Sequence, residues 1–190
     1  MIEKFRYGTK EIIVTAIGSA LSVLTYYLEM GLLEALPQAT GVLEFMHLRI
    51  LVVAICAVFF GPMAGMLVGL GGELLINLIF MTSTNYPVIT TIGVYGFFIG
   101  LYFGKNHYNP NVFTTKTFFD FNAVQLIAII FCSMMLLPLL WFLADNLNLS
   151  EGIIEGGKVV IVNSVIIGII CPFIMGIVYL VRHPQKQAGS

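Results

Sequence analysis

Long runs of apolar residues constrain this chain more than any other feature of its sequence. Hydrophobic residues make up 58% of the chain and charged residues 10%, whereas soluble domains carry about 25% charged residues. Because a bilayer offers no partner to an open backbone group, such runs predict helices. We therefore predict an all-α bundle of six transmembrane helices surrounded by membrane lipid, each near the ~20 residues needed to cross a bilayer. The predicted spans are 12–32, 47–60, 62–81, 88–103, 124–143 and 159–181, within a single domain over residues 1–190.

The distribution of Lys and Arg predicts the orientation of the bundle. If the N-terminus is cytoplasmic, the outer segments hold Arg49 and Lys158, and both termini lie inside. Residues 1–11 lead into the first run without a small-residue cleavage site, so we expect a retained first span rather than a removed signal peptide. The other seven basic residues fall on the inner side: Lys4, Arg6, Lys10, Lys105, Lys116, Arg182 and Lys186.

Charge and cysteine usage exclude several kinds of partner. A net charge of −1 leaves no basic cluster for a phosphate backbone, so no nucleic-acid partner is expected. Cys56, Cys132 and Cys171 lie singly inside apolar runs and are interpreted as small buried hydrophobic residues. The histidines share no metal-ligand spacing, so neither a metal site nor a cofactor is predicted.

A glycine-rich stretch, Gly61–Asn77, begins with a Gly-Pro turn and ends with two polar residues inside an apolar run. Glu73 and Asn77 are four residues apart and share a helix face. A charge at mid-membrane costs roughly 2.5–3.5 kcal/mol on insertion scales. Glu73 is therefore protonated, paired with Arg49, or facing water. A ligand-binding carboxyl group and a structural hydrogen bond between helices both fit this pattern.

Small residues form two faces on which another helix could pack closely. One face consists of Gly65, Gly69 and Gly72, beside the polar pair. The other is formed by Ala16 and Ala20 in the first span, and it could pack within this chain or against a partner subunit.

With this orientation, polar and aromatic residues from several spans gather in the outer half of the bundle. That asymmetry predicts a pocket open to the outside rather than a polar pore. Tyr86, Tyr95 and Trp141 could stack on a planar ligand, although Tyr86 and Trp141 also fit an interfacial aromatic belt. Asn163 could bind ligand or join two helices. The predicted substrate-binding residues are Glu44, Glu73, Asn77, Asn85, Tyr86, Tyr95, Trp141 and Asn163.

One segment imitates a phosphate-binding loop. Residues 152–158 match the first seven positions of a P-loop, but Val159 stands where Ser or Thr should hold magnesium. The chain is therefore predicted to have no ATPase site of its own. An intramembrane enzyme would need a converging catalytic set that the spans do not contain, and a structural membrane protein is the other alternative.

Two motifs resemble those of a known family. Phe60-Gly61-Pro62-x-Ala64-Gly65-x-x-x-Gly69 and the Ala16/Ala20 pair, with six spans, resemble the substrate-binding S components of energy-coupling factor (ECF) vitamin transporters. The resemblance is to the riboflavin-named branch, which includes predicted hydroxymethylpyrimidine carriers. Many relatives have His after the last glycine and Asp four residues later, where this chain has Glu73 and Asn77.

The resemblance implies a subunit of a bacterial cell membrane that captures a vitamin or vitamin precursor outside. A transmembrane T subunit would dock on Ala16 and Ala20, and two cytoplasmic ATPases would drive uptake. A hydroxymethylpyrimidine-like or pyridoxine-like ligand is favoured, with riboflavin or pantothenate as alternatives. Residues 33–46 would form a lid over the pocket.

Overall fold

A computed structural model describes residues 8–36, 38, 41, 44–81, 84–103, 113–144 and 148–182. These residues contain helices and no strand. Five helices are long and apolar enough to cross a membrane, and the sixth, α2, has 13 residues. The six helices with described bounds are α1 (Thr9–Ala35), α2 (Leu48–Phe60), α3 (Pro62–Phe80), α4 (Tyr86–Phe103), α5 (Thr115–Leu143) and α6 (Leu149–Arg182).

One helix overlies each predicted span, but α5 and α6 begin well before the apolar runs do. Thr114 caps α5: its hydroxyl accepts a hydrogen bond from the backbone N–H of Thr117 at 3.3 Å. A cap of this kind starts a helix in polar sequence. Hydropathy therefore marks only the apolar part of each helix, and the prediction of a single domain over the whole chain stays a prediction.

The Gly61-Pro62 pair makes the predicted turn between α2 and α3. Gly61 has a φ of 95°, a conformation that residues with a Cβ rarely adopt. Pro62 follows as the first residue of α3, where its missing N–H costs no helical hydrogen bond. The turn joins α2 and α3 directly, so their ends stay close.

The glycines of α3 allow neighbouring helices to approach it. A Cβ at Gly69 would lie 2.7 Å from the carbonyl oxygen of Ile92 in α4, and one at Gly72 would lie 2.7 Å from Cβ of Ser22 in α1. Gly65 meets α2 and α4 in the same way. The predicted packing role of these three glycines is confirmed, because the neighbouring helices lie so close to α3 that a Cβ at any of the three positions would clash with them.

Helix α5 contains a π-helical segment, Phe131–Leu136, which ends two residues before Pro138. π-Helical turns inside α-helices are rare and occur frequently at functional sites. Gly156 of α6 packs against the backbone of Ser133 within this segment. The wider turn therefore lies against α6, with Cys132 and Ser133 buried.

Burial in this bundle differs between its helices. Val53, Ala54 and Ala57 of the short α2 are at most 1% exposed. In contrast, many apolar side chains of α1 lie on the exterior of the bundle. The three cysteines are buried and free, as predicted. An apolar exterior is what a lipid environment requires of a membrane bundle. Of the basic residues that predict the orientation, Lys4, Arg6, Lys105 and Lys186 lie outside the described residues.

Candidate functional site

Arg49 lies between two buried carboxylates at the start of α2. Its Nη1 donates to Oε2 of Glu29 at 2.8 Å, and its Nε donates to Oε1 of Glu73. All three residues are at most 7% exposed. Of the three alternatives that the sequence left open for Glu73, the structure shows the pairing with Arg49, and it adds Glu29 as a second acid. We call Glu29, Arg49 and Glu73 the charged triad.

The triad joins three helices through side chains from α1, α2 and α3. Tyr26, one turn before Glu29 on α1, places its ring 5.4 Å from Cζ of Arg49, within the range of a cation–π contact. Glu29 is not among the binding residues predicted from the sequence. The missed signal is helical spacing, because Gly18, Ser22 and Glu29 share the inward face of α1.

Asn77 connects the end of α3 to the start of α4. Its Nδ2 donates to the carbonyl oxygen of Glu73 at 2.8 Å, and its Oδ1 accepts from the backbone N–H of Asn85 at 2.7 Å. The Oδ1 of Asn85 in turn accepts from the backbone N–H of Val88 at 3.2 Å. The two amide side chains thereby hold the α3–α4 connection in place.

Asn163, which is 1% exposed, fastens the segment before α2 to α6. Its Oδ1 accepts from the backbone N–H of His47 at 2.8 Å, and its Nδ2 donates to the carbonyl oxygen of Phe45 at 2.6 Å. Lys158 Nζ lies 4.9 Å from the centroid of the Phe45 ring. Of the two predicted roles for Asn163, the structure shows the joining of segments.

Arg49 and Glu73 of the charged triad, together with Asn77 and Asn85, border a cavity of about 190 Å³ between α2, α3, α4, α5 and α6. Four predicted binding residues line it: Glu73, Asn77, Asn85 and Trp141. The sequence had indicated Arg49 only as a partner of Glu73, and it contained no signal for Ser133, which the π-helical segment supplies. The lining consists of His47, Arg49, Ile50, Glu73, Asn77, Met81, Asn85, Val88, Thr91, Ile92, Ser133, Leu137, Trp141 and Val159.

The other predicted binding residues lie outside this lining. Glu44 is exposed, and Tyr86 is 70% exposed. Tyr95 is 2% exposed, and its hydroxyl has no hydrogen-bond partner within the described part of the chain. Asn163, described above, also lies outside the lining. The structure therefore does not bring these four residues into the cavity lining, and their role in ligand binding stays a prediction.

The predicted docking pair on α1 faces away from the other helices of the bundle. Ala16 and Ala20 are exposed, whereas Gly18, Ser19 and Ser22 are buried against neighbouring helices. Gly18 lies against Val68 of α3 and Cys56 of α2. The internal packing surface of α1 is therefore not the Ala16/Ala20 face, and docking of a partner subunit on that face stays a prediction.

A larger groove, of about 490 Å³, lies between α4 and α5. Its walls are apolar and aromatic side chains, among them Phe98, Ile127 and Phe131. Specific small-molecule sites combine apolar walls with several placed polar groups. The smaller cavity has such groups, so it is the candidate site.

A protein-family model described as "ECF-type riboflavin transporter, S component" matches residues 6–180. The chain belongs to this family. The resemblance drawn from the Phe60–Gly69 motif and the Ala16/Ala20 pair is thereby confirmed. Family members are transporter S components and not enzymes, and the long apolar helices agree with a multi-pass protein of a bacterial membrane.

Curated relatives carry the name UPF0397 protein. One from Clostridium perfringens is 30% identical over 67% of this chain and 65% of its own length. Another, from Lactobacillus johnsonii, is 30% identical over 59% of this chain and 60% of its own. The chain thus spans less than two thirds of these two relatives. A third, from Exiguobacterium, is 27% identical over 97% of this chain and 96% of its own length. No solved structure matches the chain.

Proposed function

We propose that this S component captures a small vitamin or vitamin precursor from outside the cell and presents it to an ECF-type importer. The cavity beside the charged triad is the proposed binding site. A hydroxymethylpyrimidine-like or pyridoxine-like compound is the favoured ligand. Glu73, Asn77, Asn85 and Trp141 are the proposed contacts, and residues 33–46, of which only part is described, are the proposed lid.

The observation that supports this proposal is a cavity in which charged and amide side chains stand beside apolar and aromatic walls. Arg49 and Glu73 line the cavity together with the indole of Trp141, which offers an aromatic face to a planar ring. A volume of about 190 Å³ lies below the ~300–1,000 Å³ of drug-sized sites. The size supports a single-ring ligand over riboflavin, which has three fused rings and a ribityl chain.

The proposed topology has six spans with both termini in the cytoplasm. Under this topology the ends of α3 and α5 and the starts of α4 and α6 face outward, and the cavity lies among them. Lys10, Lys116 and Arg182 then fall on the cytoplasmic side, in keeping with the positive-inside rule. Ligand would enter from the outside, past the segment that Asn163 holds.

The proposed partners are a transmembrane T subunit and two cytoplasmic ATPases. Exposed Ala16 and Ala20 on α1 give a small-residue face on which a helix of the T subunit could pack closely. The segment resembling a P-loop has Val159 in place of the magnesium-binding hydroxyl residue, so partner subunits would supply the energy of uptake.

Mass spectrometry of the molecule that leaves the purified protein on denaturation tests the proposal. The protein is purified in detergent from cells grown in rich medium, and an unrelated six-helix membrane protein serves as the control. We expect a small heterocyclic compound enriched over that control. Absence of any enriched compound, together with no binding of added hydroxymethylpyrimidine, pyridoxine, riboflavin or pantothenate, contradicts a capture role.

Two alternatives from other classes give different outcomes in the same preparation. An intramembrane enzyme would convert an added compound with turnover, whereas a capture subunit would return it unchanged. A structural membrane protein would neither retain nor convert any of the four compounds. Uptake in cells that co-express the T subunit and the ATPases, compared with cells lacking the ATPases, then tests the transport role itself.

A further inference from the structure

We infer that the C-terminal segment of α6, residues 168–182, is hinged at Gly168 and Pro172, and that Asn122 of α5 is the latch that holds this hinge closed. The inference goes beyond the proposed function, because it concerns how the chain bends and not what the cavity holds. It starts from a carbonyl group in α6 that has lost its usual helical donor.

Pro172 interrupts the hydrogen bonding of α6, in which it lies well inside the helix. A proline has no N–H, so the carbonyl group of Gly168, four residues earlier, lacks its helical donor. Within a membrane such a freed group must find another partner. Asn122 supplies it, because its Nδ2 donates to the Gly168 carbonyl oxygen at 3.2 Å. Helix α6 therefore continues through the proline with a side chain of α5 in place of its own N–H.

Gly168 allows α5 to come close enough for this contact. A Cβ at Gly168 would overlap Oδ1 of Asn122, so any other residue would push the amide away. The same turn of α6 thus lacks a side chain at Gly168 and a backbone hydrogen bond from Pro172. Sharp bends in helices occur at prolines and at such small residues, so this turn is where α6 can bend.

The latch can open without leaving Asn122 unpaired. Its Nδ2 also donates to the carbonyl oxygen of Phe118 in its own helix, at 3.0 Å, and an opened latch keeps that bond. Beyond the hinge, Gly176 lies beside the ring of Phe113, since a Cβ there would be 3.5 Å from Cε1. An apolar contact of this kind has no fixed direction. The hydrogen bond to Gly168, which has one, fixes the angle of the segment.

Helix α5 contains the matching interruption, supported in turn by α6. The N–H of Leu137 donates to the carbonyl oxygen of Cys132, five residues earlier, and not to Ser133. Pro138, the next residue, has no N–H, so the Ser133 carbonyl lacks both of its usual helical donors. Gly156 of α6 lies against this oxygen, where a Cα–H group can form a weak hydrogen bond. The two helices thus support each other at both interruptions.

The position of the hinge separates the cavity from the end of the chain. Val159 lines the cavity, and Asn163 holds Phe45 and His47; both lie in α6 before Gly168. The segment after Gly168 can therefore change its angle while this wall of the cavity keeps its place. Under the proposed topology that change would be felt at the cytoplasmic surface.

A double-mutant cycle tests whether Asn122 replaces the missing N–H. Asn122→Leu removes the donor at similar size and should lower the melting temperature in detergent by roughly 2–4 °C, the shift expected for one lost hydrogen bond in a chain of this length. Pro172→Ala restores an N–H to Gly168. In that background the loss from Asn122→Leu should fall to less than about half. Equal losses in both backgrounds would indicate general packing and overturn the latch.

Gln125→Leu is the matched control, because Gln125 is another buried amide that joins α5 to α6. Its Nε2 donates to the carbonyl oxygen of Ser164 at 3.1 Å, and that carbonyl keeps its helical donor at Gly168 whichever residue stands at 172. Gln125→Leu should therefore cost the same in both backgrounds. If Asn122→Leu does not fold alone, its rescue by Pro172→Ala becomes the readout, and failure of the rescue overturns the latch.

Distances between spin labels test the hinge itself. Labels at Ile13→Cys in α1 and Val181→Cys in α6 occupy exposed positions, whereas the three native cysteines are buried. Pulsed electron paramagnetic resonance should give one narrow distance distribution in the otherwise unaltered protein. Asn122→Leu should broaden it or add a second distance, and Pro172→Ala should reverse that change. A distribution that stays equally narrow in Asn122→Leu would overturn the hinge, and no ligand is needed in any of these measurements.

Discussion

Glu29 and Arg49 are joined twice, although they belong to different helices. The Glu29 carboxylate accepts from Nη1 of Arg49 at 2.8 Å and from the backbone N–H of Arg49 at 3.2 Å. That N–H is one of the first in α2, and the first N–H groups of a helix have no acceptor within the helix. Glu29 therefore balances the arginine charge and also satisfies the start of α2, where a negative charge is favourable.

Replacing Arg49 should destabilise the protein strongly. Arg49→Met leaves Glu29 and Glu73 buried together without a cation, and breaking a buried pair in this way costs about 3–5 kcal/mol. Thermal unfolding in detergent measures the change. Lys158→Met is the matched control, because the side chains of its ion pair with Glu155 are 47% and 44% exposed, and such a pair contributes about 0–1 kcal/mol. Equal effects of the two variants would contradict a stabilising role of the triad.

Removing the Asn163 side chain should release the segment before α2. Asn163→Ala loses the bonds to His47 N–H and to the Phe45 carbonyl, at about 1–3 kcal/mol for buried groups left unpaired. Hydrogen exchange at the His47 amide should accelerate. Ser164→Ala, in which the lost hydroxyl bond lies within α6, serves as control, and unchanged exchange in Asn163→Ala would refute the fastening role.

A methyl group at Gly69 should separate α3 from α4. Its Cβ would lie 2.7 Å from the carbonyl oxygen of Ile92, and overpacking of this kind typically costs about 1–3 kcal/mol. Gly31→Ala is the matched control because, apart from its chain neighbours and the backbone of its own helix, no described atom lies within 4 Å of the added Cβ. There alanine should stabilise the helix by up to ~1 kcal/mol. Melting temperatures that move together in both variants would argue against close packing.

Trp141→Ala should weaken the binding of hydroxymethylpyrimidine by about tenfold, since stacking of a base on an aromatic side chain contributes about 1–3 kcal/mol. Trp141 is the single tryptophan of the chain, so the variant has no tryptophan fluorescence and its binding is measured by titration calorimetry. Tyr86→Ala should bind normally, because Tyr86 is 70% exposed and lies outside the cavity lining. Normal affinity in Trp141→Ala would remove the indole from the site.

Bulky residues on the outward face of α1 should prevent assembly with the T subunit. Ala16→Trp and Ala20→Trp enlarge exposed small positions without entering the bundle, so the purified subunit should still fold and bind ligand. Co-purification with the T subunit should be lost. Ile161→Trp, at a 70% exposed position of α6, is the control. Assembly that survives both Ala16→Trp and Ala20→Trp would rule out docking on this face.

Most of the helical architecture was predictable because hydropathy and helix-breaking residues act locally. The Gly61-Pro62 turn and the glycine face of α3 followed from residue type and spacing alone, whereas the pairing of Glu73 with Arg49 was one of three alternatives that the sequence left open. The early starts of α5 and α6 could not be predicted in this way. The thickness of the bilayer limits the length of the apolar segment, but it does not limit the length of the helix. A cap such as Thr114 can extend a helix through polar sequence.

The candidate site was predictable in part. Glu73, Asn77, Asn85 and Trp141 all carry chemistry that stands out within or beside apolar runs, and the structure brings them to one cavity. Asn163 has the same chemistry, but it uses its hydrogen bonds to hold Phe45 and His47. Residue type cannot distinguish these outcomes, because the choice depends on which backbone groups lie nearby.

By itself the sequence determined that this chain forms apolar helices, that small residues allow those helices to approach closely, and that an acid within the membrane must be protonated, paired or in contact with water. These follow from transfer energies and steric size, which belong to each residue. The tertiary structure alone decided that Glu29 completes the triad and that the π-helical turn brings Ser133 to the cavity. Both depend on the rotation and offset of packed helices, because hydrogen bonds act only over a few ångströms and in fixed directions.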